Sequence, residues 1–153
     1  MKLELEINQA KFRNIYHHGT VNMIYSFNWL LAKQSAFFAK EDLTYQQFNI
    51  LRILRGSMPK PLSTIQLRER MLDKMSDTSR LVARLETKGL VLKKQSSTDK
   101  RLVEITISRK GQNVLSRLDK VENELDQIIK NLTEVEVKTL NNLLDKMRSE
   151  ASQ

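Results

Sequence analysis

Apolar positions along the chain alternate between two periods. From about residue 8 to residue 40, Ile15, Val21, Ile24, Phe27, Leu30, Leu31, Phe37 and Phe38 recur at helical spacing. They predict one long helix, with Gly19 as a place where it kinks or divides. Thr44-Tyr45-Gln46-Gln47 has the pattern of a capping box and opens a second helix. Phe48, Ile50, Leu51, Ile53 and Leu54 form its core face, Gly56 ends it, and Pro59 and Pro61 fill the loop beyond. Ser63-Thr64-Ile65-Gln66 is a second box, opening a short helix that ends near Met71. After a brief turn at Leu72-Asp73-Lys74, a helix from Met75 or Ser76 to Lys88 buries Leu81, Val82 and Leu85, with Gly89 placed to close it. Two short helices joined by a tight turn read as a helix-turn-helix.

The period then changes to two. Leu90 to Lys94 reads as a strand, Gln95 to Asp99 as turn chemistry, and Val103, Ile105 and Ile107 alternate against Glu104 and Thr106. A lone hairpin is marginal, so this one must lean on the helices before it. Ser108 caps a further helix to about Asn131, in which Leu118, Val121, Leu125, Ile128 and Leu132 step by three and four as a short coiled-coil seam. Thr133-Glu134-Val135-Glu136, a third box, opens a last helix carrying Val137, Leu140, Leu143, Leu144 and Met147. The predicted fold is mainly α with a small β-wing: a winged helix-turn-helix over residues 44–110, flanked by dimerisation helices at 8–40 and 112–150. The long aromatic-rich first helix carries more apolar surface than one small domain covers, and a second copy of the chain is its natural cover.

Composition narrows the chemistry. The 153 residues contain no cysteine, excluding disulfides, thiol nucleophiles and cysteine-based zinc sites. Four glycines and two prolines suit a mostly helical chain. The most apolar window, residues 21–39, is interrupted by Asn22, Ser26, Asn28, Lys33, Gln34 and Ser35, too polar to span a bilayer. Acidic residues break up the N-terminus at once, so no signal core is expected and the chain reads as cytoplasmic, with no membrane partner. The 26 Lys+Arg against 18 Asp+Glu give +8, and the segment from Lys60 to Lys110, with 13 basic against six acidic residues, carries +7 of it. A polyanion such as nucleic acid fits that concentration, because each phosphate neutralised releases counterions.

No catalytic constellation, phosphate cradle or metal motif is present, and no cofactor is expected. His17 and His18 are adjacent on a predicted helix and point about 100° apart, which does not suit one shared metal. A recognition helix reads bases from its N-terminal turns, which makes Ser76, Asp77, Thr78, Ser79 and Arg80 candidates for base edges or flanking phosphates. Arg80 suits a bidentate contact with guanine, and Arg84, one turn on, suits a phosphate. Asp77 is either an acceptor for a cytosine amino group or an early helix acid favoured by the dipole. Ser63 and Thr64 are placed to position backbone phosphates, and Lys93, Lys94 and Lys100 are sequence-blind phosphate partners.

The stretch Asp73-Lys74-Met75-Ser76-Asp77-Thr78-Ser79-Arg80 through Lys88-Gly89-Leu90-Val91, followed by Ser97-Thr98-Asp99-Lys100-Arg101 and Thr106-Ile107-Ser108-Arg109-Lys110-Gly111, resembles the MarR family of bacterial transcription regulators. The match is specific over residues 62–111 and loose outside them. Two features depart from the common pattern: residues 73–80 run one residue long, and Asp77 places an acid where phosphate would be repelled. The resemblance implies a homodimer with interlocked terminal helices, acting on a pseudo-palindromic double-stranded DNA operator, most simply as a repressor. It implies that Arg101 enters the minor groove with Asp99 holding it. It also implies a small, frequently aromatic effector between the dimer helices and the winged helix, for which Tyr16, His17, Trp29, Phe37, Phe38 and Tyr45 are the candidate lining, with core packing as the alternative. Lacking cysteine, the chain is no thiol-based oxidant sensor. The rival readings are a winged-helix scaffolding module, which predicts no salt-dependent DNA binding, and an enzyme of unrecognised type.

Overall fold

Local side-chain caps start every described helix longer than about one turn. At each of the three boxes the hydroxyl accepts a backbone N–H three residues on, while that residue's side chain accepts the cap residue's own N–H. The distances are 3.2 and 3.1 Å at Thr44/Gln47, 3.2 and 2.9 Å at Ser63/Gln66, and 3.3 and 2.7 Å at Thr133/Glu136. Each box satisfies two helix-end donors that have no intrahelical partner. The computed structural model describes residues 2–96 and 103–149.

The chain divides into two compact units, residues 1–120 and 121–153. In the first, α1 (Leu3–Glu6) precedes α2 (Ile15–Ala39), α3 (Tyr45–Ser57), α4 (Thr64–Arg70), α5 (Thr78–Thr87), the antiparallel strands β1 (Val91–Gln95) and β2 (Val103–Ile107), and α6 (Arg109–Asp119). The long first helix therefore starts later than its apolar spacing implies. Asn8 sits at φ 52°, and Asn14 begins α2 by accepting the His17 N–H at 2.9 Å. Gly19 lies inside α2 without dividing it, and Gly56 inside α3, which ends at Met58-Pro59. Proline lacks the N–H a helix needs, and that ends α3.

The core joins α2 to the winged helix. Phe37 and Phe38 from the end of α2 are buried with Leu43, Ile50, Leu51, Leu54, Leu67, Val82, Leu85, Ile105, Leu115 and Leu118. The hairpin pairs Val91 with Ile107 and Gln95 with Val103. It does not stand alone: Leu62 and Ile105 exchange both backbone hydrogen bonds, at 3.0 and 2.8 Å, so the segment before α4 adds a third short edge. Gly89, at φ 70°, closes α5. Its N–H reaches the Glu86 carbonyl at 2.8 Å and the Leu90 N–H reaches Leu85 at 2.9 Å, a glycine-terminated helix end in which a Cβ would be strained.

The helix expected from Ser108 to Asn131 is interrupted. Ser108 caps α6 through the Gly111 N–H at 3.0 Å, but α6 stops at Asp119. The second unit then begins with a one-turn α7 (Asn123–Asp126), a 3-10 turn (Gln127–Ile129) and α8 (Glu134–Arg148). Bonds from Glu124 to Val121 and from Leu125 to Glu122, both 2.9 Å, replace the α-helical ladder there. The coiled-coil seam is accordingly broken: Leu118 belongs to the core of the first unit, whereas Val121 is exposed. Residues 112–120, expected among the dimerisation helices, also fall in the first unit. Among the described residues, no helix is long and apolar enough to cross a membrane.

Candidate nucleic-acid interface

The turn between α4 and α5 is organised by one carboxylate. Asp73 accepts the Met75 N–H at 3.0 Å and the Ser76 hydroxyl at 2.6 Å. The Ser76 hydroxyl above all, with Met75 and Gln46 donating as well, holds the Asp73 carboxyl below its ordinary pKa. Asn49 on α3 accepts the Leu72 N–H at 3.1 Å, and Lys74 reaches back to the Glu69 carbonyl. The turn is thus fixed to both neighbouring helices without the glycine usual in such turns.

Asp77 is the N-cap of α5 and accepts the Arg80 N–H at 3.0 Å. The recognition helix therefore starts at Thr78, two or three residues later than its sequence suggests. Asp77 thus acts as a helix-start acid, with Oδ1 accepting the cap hydrogen bond. Ser79 and Arg80 project from the first turn and are exposed. Thr78 is not: it is 3% exposed, and its hydroxyl faces the Met71 sulfur at 3.4 Å and the Ser76 carbonyl at 3.5 Å. Its side chain fills the seam between Met71 and α5 rather than standing out on the turn.

Thr64, Ile65 and Arg68 of α4 and Ser76, Asp77, Thr78 and Ser79 line a cleft of ≈ 250 Å³. Arg68 belongs to this cleft without any motif to mark it in the sequence. It stands four residues after Thr64 and so shares its helix face, and that spacing is its signal. The Ser63 hydroxyl is occupied by its capping box. Arg84 is exposed one turn beyond Arg80. It lines a separate cleft of ≈ 470 Å³ with Ala39, Asp42, Leu43, Thr44, Gln47, Thr87 and Lys88, where Lys88 pairs with Asp42 at 3.0 Å. On the hairpin, Lys93 is bound to Glu86 at 2.6 Å, while Lys94 is exposed and pairs across the ladder with Glu104. Asp99, Lys100 and Arg101 lie outside the described residues.

The six aromatic and histidine candidates do not come together within one chain. Phe37 and Phe38 are core residues, edge to face at 5.2 Å, and Phe38 also stacks on Phe48 at 4.3 Å and tilts against Tyr45 at 6.2 Å. Burial raises the Tyr45 pKa, with Asp73 adding to it. Tyr16 and Trp29 are exposed on α2, and the His17 Nδ1 accepts the Arg13 N–H at 3.2 Å. Among the described residues, no group of His, Asp and Glu is arranged to hold a metal.

A capped recognition helix, a shorter helix across it and a two-stranded wing define a winged helix-turn-helix regulator. The family model described as "MarR family" matches residues 43–103. The regulator MgrA of Staphylococcus aureus is 32% identical over 110 residues, 72% of this chain and 73% of that one. The repressor IacR of Pseudomonas putida is 31% identical over 107 residues, 69% of this chain, and the match spans 63% of IacR's own length. A crystal structure of a MarR mutant from E. coli, complexed with operator DNA, superposes with a TM-score of 0.72 at 26% identity, covering 97% of this chain and 100% of the other. The chain belongs to the MarR family, a family of transcriptional regulators rather than of enzymes.

Proposed function

We propose that the protein binds a pseudo-palindromic operator as a homodimer and represses transcription there. The observation that carries this reading is the first turn of α5: an exposed Ser79 and Arg80, held by the Asp77 cap beside a cleft rimmed by Thr64 and Arg68. Helix N-termini read base edges in the major groove, and only Arg80 on this turn has the two-pronged donor that matches guanine. Thr64, Arg68, Arg84 and Lys94 then serve phosphates. Lys93 does so only by giving up Glu86. Lys100 serves phosphate as well, and Arg101, held by Asp99, extends the contact into the minor groove, as the resemblance implies. The relative solved with operator DNA and the relative named a repressor support the same assignment.

The homodimer is supported by apolar surface that one chain leaves uncovered. On α2, Ile15, Tyr16, Ile24, Phe27 and Trp29 are exposed, and on α8 Val135, Leu140, Leu143 and Met147. Exposed apolar patches of this kind mark association surfaces. A small aromatic effector takes its site from both protomers, since the six candidates are spread along α2 from Tyr16 to Phe38 and on to Tyr45 in α3.

The test is a fluorescence titration against a random-duplex pool at two salt concentrations. The reading predicts enrichment of a two-fold sequence whose half-sites lie about 34–36 Å apart, and an affinity that falls steeply with salt. No enriched sequence and no salt dependence would return the protein to the scaffolding alternative.

A further inference from the structure

We propose that Met75 is a specificity-determining residue, whose side chain meets the 5-methyl group of a thymine in each half-site. The proposal rests on the operator-binding reading above and adds to it a residue that the charge and hydrogen-bonding patterns do not mark.

Met75 is 94% exposed, beyond any other large apolar side chain of the described residues, and Leu72 in the same turn is 72% exposed. A turn that needed only to connect α4 to α5 would carry polar residues. The backbone around Met75 is nonetheless fixed. Its own N–H is bound to Asp73 at 3.0 Å, Ser76 is bound to the same carboxylate at 2.6 Å, and the Leu72 N–H is bound to Asn49 at 3.1 Å. An apolar side chain is thus held out on a rigid turn, so little backbone entropy remains to be lost on binding.

Its location selects the partner. Met75 stands two residues before the cap of α5, at the end of the helix that faces the groove. The cleft lined by the next residue, Ser76, contains an apolar residue exposed at 58%, Ile65 on the first turn of α4. Base edges in the major groove present hydrogen-bond donors and acceptors almost throughout, and the thymine methyl is their apolar feature. A thioether on a flexible unbranched side chain adapts to such a contact. A lysine or glutamine at this place would bind phosphate or base edges generally, whereas methionine has favourable contact only where the sequence supplies a methyl.

The test uses the duplex that the wild-type protein enriches from a random pool. Each thymine of one half-site is replaced in turn by deoxyuridine, which removes the methyl and nothing else. Wild-type protein should lose about fourfold in affinity at one such position, the effect of a single buried methyl. Met75→Ser should bind the thymine and deoxyuridine duplexes equally at that position while keeping its other preferences, and Met75→Leu should restore the sensitivity. The exposed position makes both variants compatible with folding, which their unfolding midpoints verify. Unchanged methyl sensitivity in Met75→Ser, or a wild-type protein indifferent to every replacement, overturns the proposal alone and leaves Met75 for a protein partner. Failure of the wild-type protein to enrich any duplex overturns the operator reading itself, and this inference with it.

Discussion

The Asp77 carboxylate accepts the backbone N–H of Arg80 at 3.0 Å, so the acid that caps the recognition helix fixes the first turn from which the arginine projects. The cap gives this acid a structural role beside the proposed phosphate-binding surface. Loss of an N-cap typically costs about 0.5–2 kcal/mol. Asp77→Ala should therefore lower the urea midpoint, measured at fixed protein concentration because a dimer's stability depends on it. Asp77→Ser should recover most of the loss, since a hydroxyl caps as well as a carboxylate. If both variants are as stable as wild type, the cap is not holding α5.

Asp119, at the end of α6, ties that helix to α3. It accepts from Arg55 at 2.5 and 3.1 Å and from Arg52 at 3.4 Å. The Arg55 hydrogen bonds, aided by the charges of Arg55 and Arg52, lower its carboxyl pKa against the opposing effect of burial. A carboxyl depressed in the folded state stabilises the protein above its unfolded pKa of about 3.9, and that contribution is lost as pH falls through the lower folded value. Asp73 and Glu41 are shifted in the same direction, Asp73 chiefly by the Ser76 hydroxyl and Glu41 chiefly by Arg117. Stability should fall below about pH 4. Asp119→Asn should be less stable at neutral pH and show a shallower acid limb, read from urea midpoints between pH 3 and pH 6.

Gly111, in the first turn of α6, is the most confined of the four glycines. A Cβ there would collide with the Leu90 carbonyl oxygen and stand 2.8 Å from Ile107 Cγ1. Glycine to alanine inside a helix ordinarily gains about 1 kcal/mol. Here the clash is with backbone, and overpacking costs typically 1–3 kcal/mol. Gly111→Ala should therefore destabilise the protein and displace α6 from the hairpin, while Gly56→Ala, which meets nothing within 4 Å, should not. Thermal unfolding of the two variants side by side separates the outcomes.

Ile24 and Phe27 lie three residues apart on α2, so they share a face, and both are more than half exposed. A charge placed there would face an apolar partner surface in the proposed dimer. Ile24→Asp or Phe27→Asp should shift the sedimentation profile to monomer. In a monomeric protein neither substitution would change the profile, and both would cost little stability.

What the sequence made legible was local. Thr44, Ser63, Ser108 and Thr133 cap where the sequence predicts, because a hydroxyl N-cap needs only a backbone N–H three residues on. Gly89 closes α5 because αL backbone favours glycine wherever a helix must end. Three features needed distant partners. Thr78 reads as one of a run of small polar residues on an exposed turn, and only the packing of Met71 against α5 turns its hydroxyl inward. Leu62 reads as the residue before a helix, yet its backbone pairs with Ile105, 43 positions on. The interruption after Asp119 carries neither glycine nor proline, so the apolar spacing runs through it unbroken. The aromatic residues of α2 have a helical period, but periodicity defines a face and not its cover. In the wing, the roles of Asp99 and Arg101 follow from the family resemblance, and that of Lys100 from its charge.

Under the proposed operator binding the first turn of α5 reads bases, and Arg80 is the residue on which that reading depends. The affinities of wild-type and Arg80→Ala protein should be measured on the enriched duplex and on all its single-base variants at one salt concentration. The account predicts that Arg80→Ala loses about 1–3 kcal/mol on the parent duplex and becomes indifferent to the base at one guanine of each half-site. A uniform loss across every sequence, with the preference at each position intact, would make Arg80 a phosphate contact and contradict the account.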